Sequence, residues 1–201
     1  MQRTLLIGFI LILASVLVWV SILWEPAQDP ELCEQVPALA EAPVGGGFTL
    51  HSYRGPVELG DFRNKIVLLY FGYTWCPDIC PTNLGLTSLA LDELTPDERE
   101  RVQSLFVSVD PERDTVERLK EYGEYFHPKI LGITGSAAEV AKVANLYGAA
   151  YRKVEQASEV GYAVDHSADT YLINRRGELV EVLPHGSPPE QVVRLIRKHL
   201  N

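Results

Sequence analysis

One uncharged segment limits the topology of this chain more than any other feature. Thr4 to Trp24 is a run of 21 residues without a charged side chain. At about 1.5 Å per residue, a helix of that length reaches roughly 31 Å, enough to cross a bilayer. A cleavable secretory signal usually has an apolar region of about 7–15 residues and ends in small residues. This run is longer and ends at Trp24-Glu25-Pro26, so the sequence predicts an uncleaved transmembrane signal anchor over residues 1–24.

Charges on the two sides of this segment predict its orientation. Arg3 and the amino terminus precede it, and acidic side chains follow it, beginning with Glu25 and Asp29. The positive-inside rule then places the short amino-terminal end in the cytoplasm. No Arg-rich and Ser-rich leader precedes the segment, so the pattern does not indicate a mitochondrial presequence. We expect a single-pass protein of a bacterial inner membrane, with its carboxyl-terminal domain in the periplasm.

The composition after the anchor indicates a tether followed by one folded domain. Residues 25–47 contain four prolines and three consecutive glycines, which is typical of a flexible linker. Cys33 lies in this linker, and we interpret it as a thiol outside any site. Hydrophobic residues make up 46% of the chain, enough for a packed core in residues 48–201. The net charge of -9 provides no basic surface for phosphate backbones, so nucleic acid is not an expected partner.

Apolar runs that alternate with helical patterns predict an α/β domain. Strands are predicted at 48–52, 57–59, 65–72, 105–109, 170–173 and 178–183, and helices at 82–94, 114–126, 136–147 and 188–200. Asp114 and Ser136 each precede a glutamate by three residues, which is the spacing of a helix capping box. This order of elements indicates a mixed central sheet with helices on both faces. Reactive groups in such sheets gather beyond the carboxyl ends of the parallel strands, here 73–81 and 110–114.

Two cysteines lie at the first of these places. Cys76 and Cys80 form a C-x-x-x-C motif at the predicted junction between a strand and a helix. A helix amino terminus favours negative charge and lowers the pKa of a nearby thiol. Residues four apart on a helix have Cα atoms about 6 Å apart, within the range of a disulfide. The pair is therefore a dithiol, a disulfide or a metal clamp.

Two structural interpretations of this pair are less favoured than a functional one. A disulfide across so short a loop would stabilise the fold little, because loop-closure entropy shrinks with loop length. A structural zinc site needs four ligands, usually from two pairs of residues, and the sequence has no second pair.

Three motifs in order resemble a known family. They are FGYTWCPDICPTNL, then SVDPERDT at 108–115, then VDHSADTYLI at 164–173 followed by GEL, and they are similar to those of the Sco/SenC copper chaperones of cytochrome oxidase assembly. The resemblance implies a thioredoxin-like fold, a membrane anchor, and copper bound by Cys76, Cys80 and His166. It also implies a role in maturing the dinuclear CuA centre of oxidase subunit II. Within the family, binding of Cu(I) and of Cu(II) and a thiol-reductase role have been proposed.

The chemistry of these residues leaves two main hypotheses; a third, a redox or copper sensor, would need an output partner that the sequence does not show. Thiolates are soft ligands that select Cu(I), and imidazole suits copper in either oxidation state. The leading hypothesis is a copper chaperone rather than an enzyme, with oxidase subunit II, another copper chaperone or a thiol reductase as partners. The alternative is a periplasmic thiol–disulfide oxidoreductase that reduces cysteines of the oxidase copper site or a peroxide-type substrate. Cys76 would then attack, and Cys80 would close a redox-active disulfide. Only the first hypothesis needs His166.

The remaining candidates have ordinary interpretations. Asp110 is either a hydrogen-bonding residue near the site or a residue of an Asp-Pro turn, and Asp78 is either a helix-start charge or a docking contact. The other histidines are predicted to lie at the surface; these are His51, His127, His185 and His199.

Overall fold

The computed structural model describes residues 43–155 and 161–200, together with Leu17 and Trp19, which are both helical and exposed. Apart from these two positions, the predicted anchor and its orientation lie outside the described residues, as does Cys33. Within the part of the chain that is described, no helix is both long enough and apolar enough to cross a membrane.

The chain divides into the units Met1–Ala40 and Glu41–Asn201, and the second contains the predicted domain. Its strands are β1 (Thr49–Ser52), β2 (Gly55–Glu58), β3 (Ile66–Gly72), β4 (Val102–Ser108), β5 (Ile130–Ile133), β6 (Tyr151–Glu155), β7 (Tyr162–His166), β8 (Thr170–Ile173) and β9 (Leu179–Leu183). Its helices are α1 (Ile79–Glu93), α2 (Pro96–Glu100), α3 (Val116–Phe126), α4 (Ala137–Leu146) and α5 (Pro189–Leu200), with a 3-10 turn at Leu59–Phe62.

The central sheet has five strands in the order β5-β4-β3-β8-β9. The three strands β3, β4 and β5 are parallel, and β8 and β9 are antiparallel to their neighbours. Two hairpins, β1–β2 and β6–β7, form separate two-stranded sheets. This arrangement confirms the predicted mixed sheet.

The sheet is covered on both faces, which explains why each residue of β3 is buried. Successive residues of a strand point to opposite faces. On one face, Tyr70 stacks on Phe106, whose ring centroid lies 5.5 Å from that of Tyr122 in α3. On the other face, Phe71 packs against Tyr147, the residue that follows α4, at 6.2 Å between centroids. Helices on both faces are therefore confirmed.

The two predicted capping boxes have different outcomes. The box at Ser136 is confirmed, because its hydroxyl accepts the N–H of Glu139 and that carboxylate accepts the N–H of Ser136. The cap at Asp114 is wrong. Thr115 caps α3 instead, with its hydroxyl accepting the N–H of Arg118 at 3.2 Å, while Asp114 is buried against a neighbouring loop.

One histidine is also placed differently from the prediction. His127 follows α3 and is buried rather than at the surface. Its Nδ1 accepts the backbone N–H of Lys129 at 2.9 Å, and its Nε2 lies 3.5 Å from a carboxylate oxygen of Asp92. These partners satisfy both ring nitrogens, so burial of the imidazole leaves no polar atom unpaired.

The end of the predicted tether contacts the domain. The N–H of Gly45 donates to the carbonyl of Leu146 at 2.9 Å, and the hydroxyl of Tyr147 donates to the carbonyl of Gly46 at 2.9 Å. Gly45 has φ +67, and a Cβ there would lie 2.8 Å from that of Leu179. The chain therefore packs against the domain shortly before β1 begins.

Candidate metal centre

The loop after β3, residues 73–78, is called the thiol loop because it contains Cys76. The helix α1 begins at Ile79, three residues before the predicted start, since Pro81 in the first turn has no N–H that needs an intrahelical partner. Cys80 therefore lies in that first turn, and Cys76 lies before the helix. The two thiols come close because the N–H of Cys80 donates to Sγ of Cys76 at 3.4 Å.

His166 ends β7 and reaches the thiols from another part of the sequence. Because β8 is antiparallel to β3 and pairs Thr170 with Tyr70, the segment before β8 arrives at the carboxyl end of β3. Nε2 of His166 lies 3.3 Å from Sγ of Cys80. Its Nδ1 lies 2.9 Å from the carbonyl of Ser167. An Nδ1–H that donates to this carbonyl leaves the Nε2 lone pair directed at the thiols.

The structure thus brings together the three side chains singled out from the sequence. One ligand atom from each of Cys76, Cys80 and His166 lies within 4.8 Å of the others. Both thiols are free, and Cys80 is fully buried. A groove of about 400 Å³ opens on Cys76 and His166, with Asp78 also among its lining residues. Two soft sulfur ligands and one imidazole fit a three-coordinate copper ion.

Aromatic rings hold the imidazole in place. The ring of Tyr73 meets His166 edge-on with centroids 5.7 Å apart, and that of Tyr70 does so at 6.3 Å. The hydroxyl of Tyr70 donates to Sγ of Cys80 at 3.8 Å. Burial raises the pKa of Tyr70, so this hydroxyl keeps its proton and remains a donor.

The two thiols have opposite electrostatic environments. The pKa of Cys76 falls to about 4, mainly because the Cys80 side chain donates a hydrogen bond to it and also because the backbone N–H of Cys80 donates one. Burial raises the pKa of Cys80, and its hydrogen bond to Cys76 raises it further. At neutral pH the pair is therefore a thiolate at Cys76 beside a protonated thiol at Cys80.

Alkylation of the reduced, metal-free chain should show this difference. Cys76 is expected to react first with iodoacetamide, because it is the thiolate and lines the groove. Its rate constant should change little between about pH 6 and pH 8.5, since the thiolate is already fully formed there, whereas an ordinary thiol titrates near about 8.5. Peptide mapping at each pH measures the rate, and a rise of about tenfold per pH unit across this range would refute the lowered pKa.

Gly72 provides the space that the Cys80 thiol occupies. A Cβ at this position would lie 2.5 Å from Sγ of Cys80 and 2.9 Å from a ring carbon of Phe106. Only a residue without a side chain permits this approach.

Two alanine substitutions should therefore have opposite effects on stability. Gly72→Ala is expected to lower the free energy of unfolding by about 1–3 kcal/mol, the usual cost of overpacking a core. Gly85→Ala is the matched control, because Gly85 lies within α1 and a Cβ there meets nothing within 4 Å. It should stabilise the chain by up to about 1 kcal/mol through helix propensity. Urea unfolding of both variants measures the difference, and equal effects would refute the close approach.

Asp114 braces the thiol loop rather than capping a helix. Its carboxylate accepts the N–H of Thr74 at 2.9 Å, the hydroxyl of Thr74 at 2.6 Å and the hydroxyl of Ser108 at 2.6 Å. The side chain is fully buried. It therefore ties the loop after β3 to the end of β4. In the sequence, only the position of Asp114 beyond the carboxyl end of a parallel strand indicated that this residue lies near the site.

Asp110 is a hydrogen-bonding residue at the edge of the site. It is fully buried, and its carboxylate lies 2.5 Å from Nε of Arg113 and accepts the hydroxyl of Tyr162 at 2.7 Å. Sequence reasoning did not find Arg113 or Tyr162, because no pattern predicted the hairpin that includes Tyr162. Asp78, by contrast, is exposed at the amino end of α1.

Comparison with known proteins gives relatives along most of the chain. A family model described as SCO1/SenC matches residues 36–201. The mitochondrial SCO2 homolog of Bos taurus is 39% identical over 170 residues, which cover 83% of this chain and 64% of that protein. The mitochondrial SCO1 homolog 1 of Arabidopsis thaliana is 42% identical over 139 residues, which cover 69% of this chain and 41% of that protein. The chain thus matches less than two thirds of the length of these relatives.

Solved structures show the same fold. The copper-bound crystal structure of Arabidopsis thaliana ScoI is 36% identical in sequence and superimposes with a TM-score of 0.71. The match covers 78% of this chain and 98% of the chain in that structure. The solution structure of apo Sco1 from Thermus thermophilus is 40% identical, covers 78% of this chain and 91% of its own, and has a TM-score of 0.70. The domain therefore has the predicted thioredoxin-like fold, and the chain belongs to the SCO1/SenC family.

Proposed function

We propose that this chain is a membrane-anchored copper chaperone that delivers copper to the CuA centre of cytochrome c oxidase subunit II. The observation that carries the proposal is the cluster of Cys76, Cys80 and His166, whose ligand atoms lie within 4.8 Å of one another. Family membership supports it, as does the copper bound in the solved ScoI relative. Copper is the cargo of the protein, and no catalytic turnover is required.

The two thiols have different parts in loading. The Cys76 thiolate is available at neutral pH and lines the groove, so it is the first sulfur to meet an incoming ion. Cys80 loses its proton as it binds, because a metal ligand must be deprotonated. Nε2 of His166, 3.3 Å from Sγ of Cys80, completes the set.

The same geometry explains how copper would be released to an acceptor. The groove lies against Cys76 and His166, whereas Cys80 is fully buried beneath them. Ligands of an acceptor can therefore displace Cys76 and His166 while Cys80 still holds the ion. Copper would pass by exchange of one ligand at a time, without entering water as a free ion.

The membrane part of the proposal is supported by the sequence. We place the anchor at residues 1–24 and the tether at 25–47, before a copper-binding domain at 48–201. The uncharged run and the acidic residues after it favour a bacterial inner membrane with the domain in the periplasm. The tether would let the domain reach an acceptor in the same membrane.

A thiol–disulfide oxidoreductase is the second candidate, favoured by the difference between the two thiols. The Cys76 thiolate would attack a substrate disulfide and release one substrate thiolate. Cys80, once deprotonated, would displace the other and close the Cys76–Cys80 disulfide, so two electrons pass to the substrate. A thiol reductant would then restore the dithiol. This exchange does not require the imidazole of His166.

A copper titration of the reduced full-length chain in detergent tests the proposal. Under anaerobic conditions and against a competing chelator, one copper ion per chain is expected. His166→Ala should weaken binding by more than the roughly 10- to 100-fold typical of residues that only orient a metal ligand. His185→Ala, at an exposed position, is the matched control and should have no effect. Undiminished affinity in His166→Ala, with unchanged disulfide reduction, would favour the oxidoreductase.

A further inference from the structure

The hairpin that carries His166 is not part of the central sheet. Among the strands of the described residues, β7 pairs only with β6. At its base the N–H of Ser167 donates to the carbonyl of Ala150 at 2.8 Å, which joins one arm of the hairpin to the other. Strand hydrogen bonds therefore do not hold this hairpin against the thiol loop, and side chains must do so.

One face of β7 provides these side chains. Tyr162, Val164 and His166 alternate along the strand and therefore share a face. His166 meets Cys80, and the N–H of Val164 donates to the hydroxyl of Tyr73 at 3.3 Å. Tyr162 lies at the far end of the strand from His166. Its contacts therefore act on the end of β7 opposite to the imidazole.

Tyr162 is held by a buried ion pair. Its hydroxyl donates to Asp110 at 2.7 Å, and its carbonyl accepts from Nη1 of Arg113 at 2.9 Å. The guanidinium carbon of Arg113 lies 3.7 Å from the centre of the Tyr162 ring. Asp110 has no exposed side-chain surface, and that of Arg113 is 16% exposed. Charge-assisted hydrogen bonds in such surroundings are stronger than exposed ones.

Arg113 also faces the thiol loop. Its guanidinium carbon lies 5.6 Å from the ring centre of Tyr73 and 5.9 Å from that of Trp75. The ring of Tyr73 in turn packs edge-on against His166. Arg113 thus stands between the hairpin and the loop that carries the first thiol, in contact with both.

We propose that Asp110 and Arg113 are positioning residues for His166: they fix the tilt of β7 so that the imidazole stays beside the two thiols. Their effect on copper binding rests on the proposed function, since it depends on His166 being a ligand. Their effect on the position of the imidazole does not depend on copper.

Measurements of copper affinity test the expected effect of these residues on copper binding. Arg113→Gln is expected to weaken binding by about 10- to 100-fold, the usual cost of losing a residue that orients a metal ligand. Arg113→Lys should recover part of this loss, because lysine keeps the positive charge. Its single ammonium group cannot bind both Asp110 and the Tyr162 carbonyl with the planar geometry of a guanidinium. Arg113→Gln combined with His166→Ala should bind no more weakly than His166→Ala alone, since the pair acts through the imidazole.

The position of the imidazole is measured without metal. In the reduced, metal-free chain, the nuclear Overhauser effect between the rings of Tyr73 and His166 should weaken in Arg113→Gln. Arg152→Gln is the matched control, because Arg152 forms an exposed ion pair with Asp165 on the same hairpin at 3.0 Å. It should leave both the ring contact and copper affinity unchanged.

The outcomes separate the two proposals. An unchanged ring contact in Arg113→Gln, or a loss of affinity that adds in full to that of His166→Ala, would overturn the positioning role. A weakened ring contact with copper affinity that is indifferent to His166→Ala would support positioning and refute the proposed copper ligand. If Arg113→Gln does not fold, Tyr162→Phe keeps the ring and removes the hydrogen bond to Asp110 together with the longer one to Glu112 at 3.5 Å. Tyr162→Phe should then weaken the ring contact and the copper affinity in the same direction but by less. If neither changes, the positioning role is overturned.

Discussion

Serine in place of Cys76 or of Cys80 is expected to reduce copper binding more than any other single substitution. A hydroxyl is a hard ligand that stays protonated at neutral pH, so each change removes one of two soft donors. With one thiolate and His166 left, the loss of affinity should exceed about 100-fold, beyond the range for residues that only orient a ligand. Copper retained by the reduced chain against a competing chelator measures it.

Cys33→Ser is the matched control for these variants. It makes the same chemical change at the third cysteine of the chain, which lies in the predicted tether. Copper retention should stay at the level of the unsubstituted chain. Comparable losses in all three variants would mean that Cys76 and Cys80 have no special role.

Oxidation of the chain is expected to have an equally large effect. The Sγ atoms of Cys76 and Cys80 lie within 4.8 Å of each other, close enough to form a disulfide after a small movement. A disulfide has no thiolate, and a metal needs deprotonated sulfur ligands. The oxidised chain should therefore lose copper, and reduction should restore binding in full.

The comparison uses one preparation in two redox states. Copper stoichiometry and affinity are measured for the fully oxidised chain, and again after treatment with a thiol reductant that is then removed. Equal values in both states would show that the cysteines are not the ligands. If the oxidised chain loses copper as expected, it needs a thiol reductant before it can be loaded again.

The cluster of Cys76, Cys80 and His166 could be predicted from the sequence because its members lie in separate short motifs. Cys76 and Cys80 follow a long buried strand, and His166 precedes the strand that pairs with it. The mixed sheet could be predicted for a related reason, since the run IVLLYFG is apolar at both faces. The anchor remains a prediction, because all of it except Leu17 and Trp19 falls outside the described residues.

The contacts among the residues around this cluster could not be predicted. The strand β6 reads YRKVE and is mostly solvent-facing, so it has no apolar alternation by which to recognise a hairpin. Without that hairpin, nothing placed Tyr162 beside Asp110. Asp114 has the spacing of a helix cap, and its real partner Thr74 is 40 residues away. Such contacts depend on tertiary packing and not on local pattern.

The most direct test of the copper site is X-ray absorption spectroscopy of the reduced, copper-loaded chain. The structure predicts a copper ion with two sulfur ligands and one imidazole nitrogen, and His166→Ala should remove the nitrogen contribution while both sulfurs remain. A copper ion coordinated only by nitrogen and oxygen, or an imidazole signal that persists unchanged in His166→Ala, would contradict a site made by Cys76, Cys80 and His166.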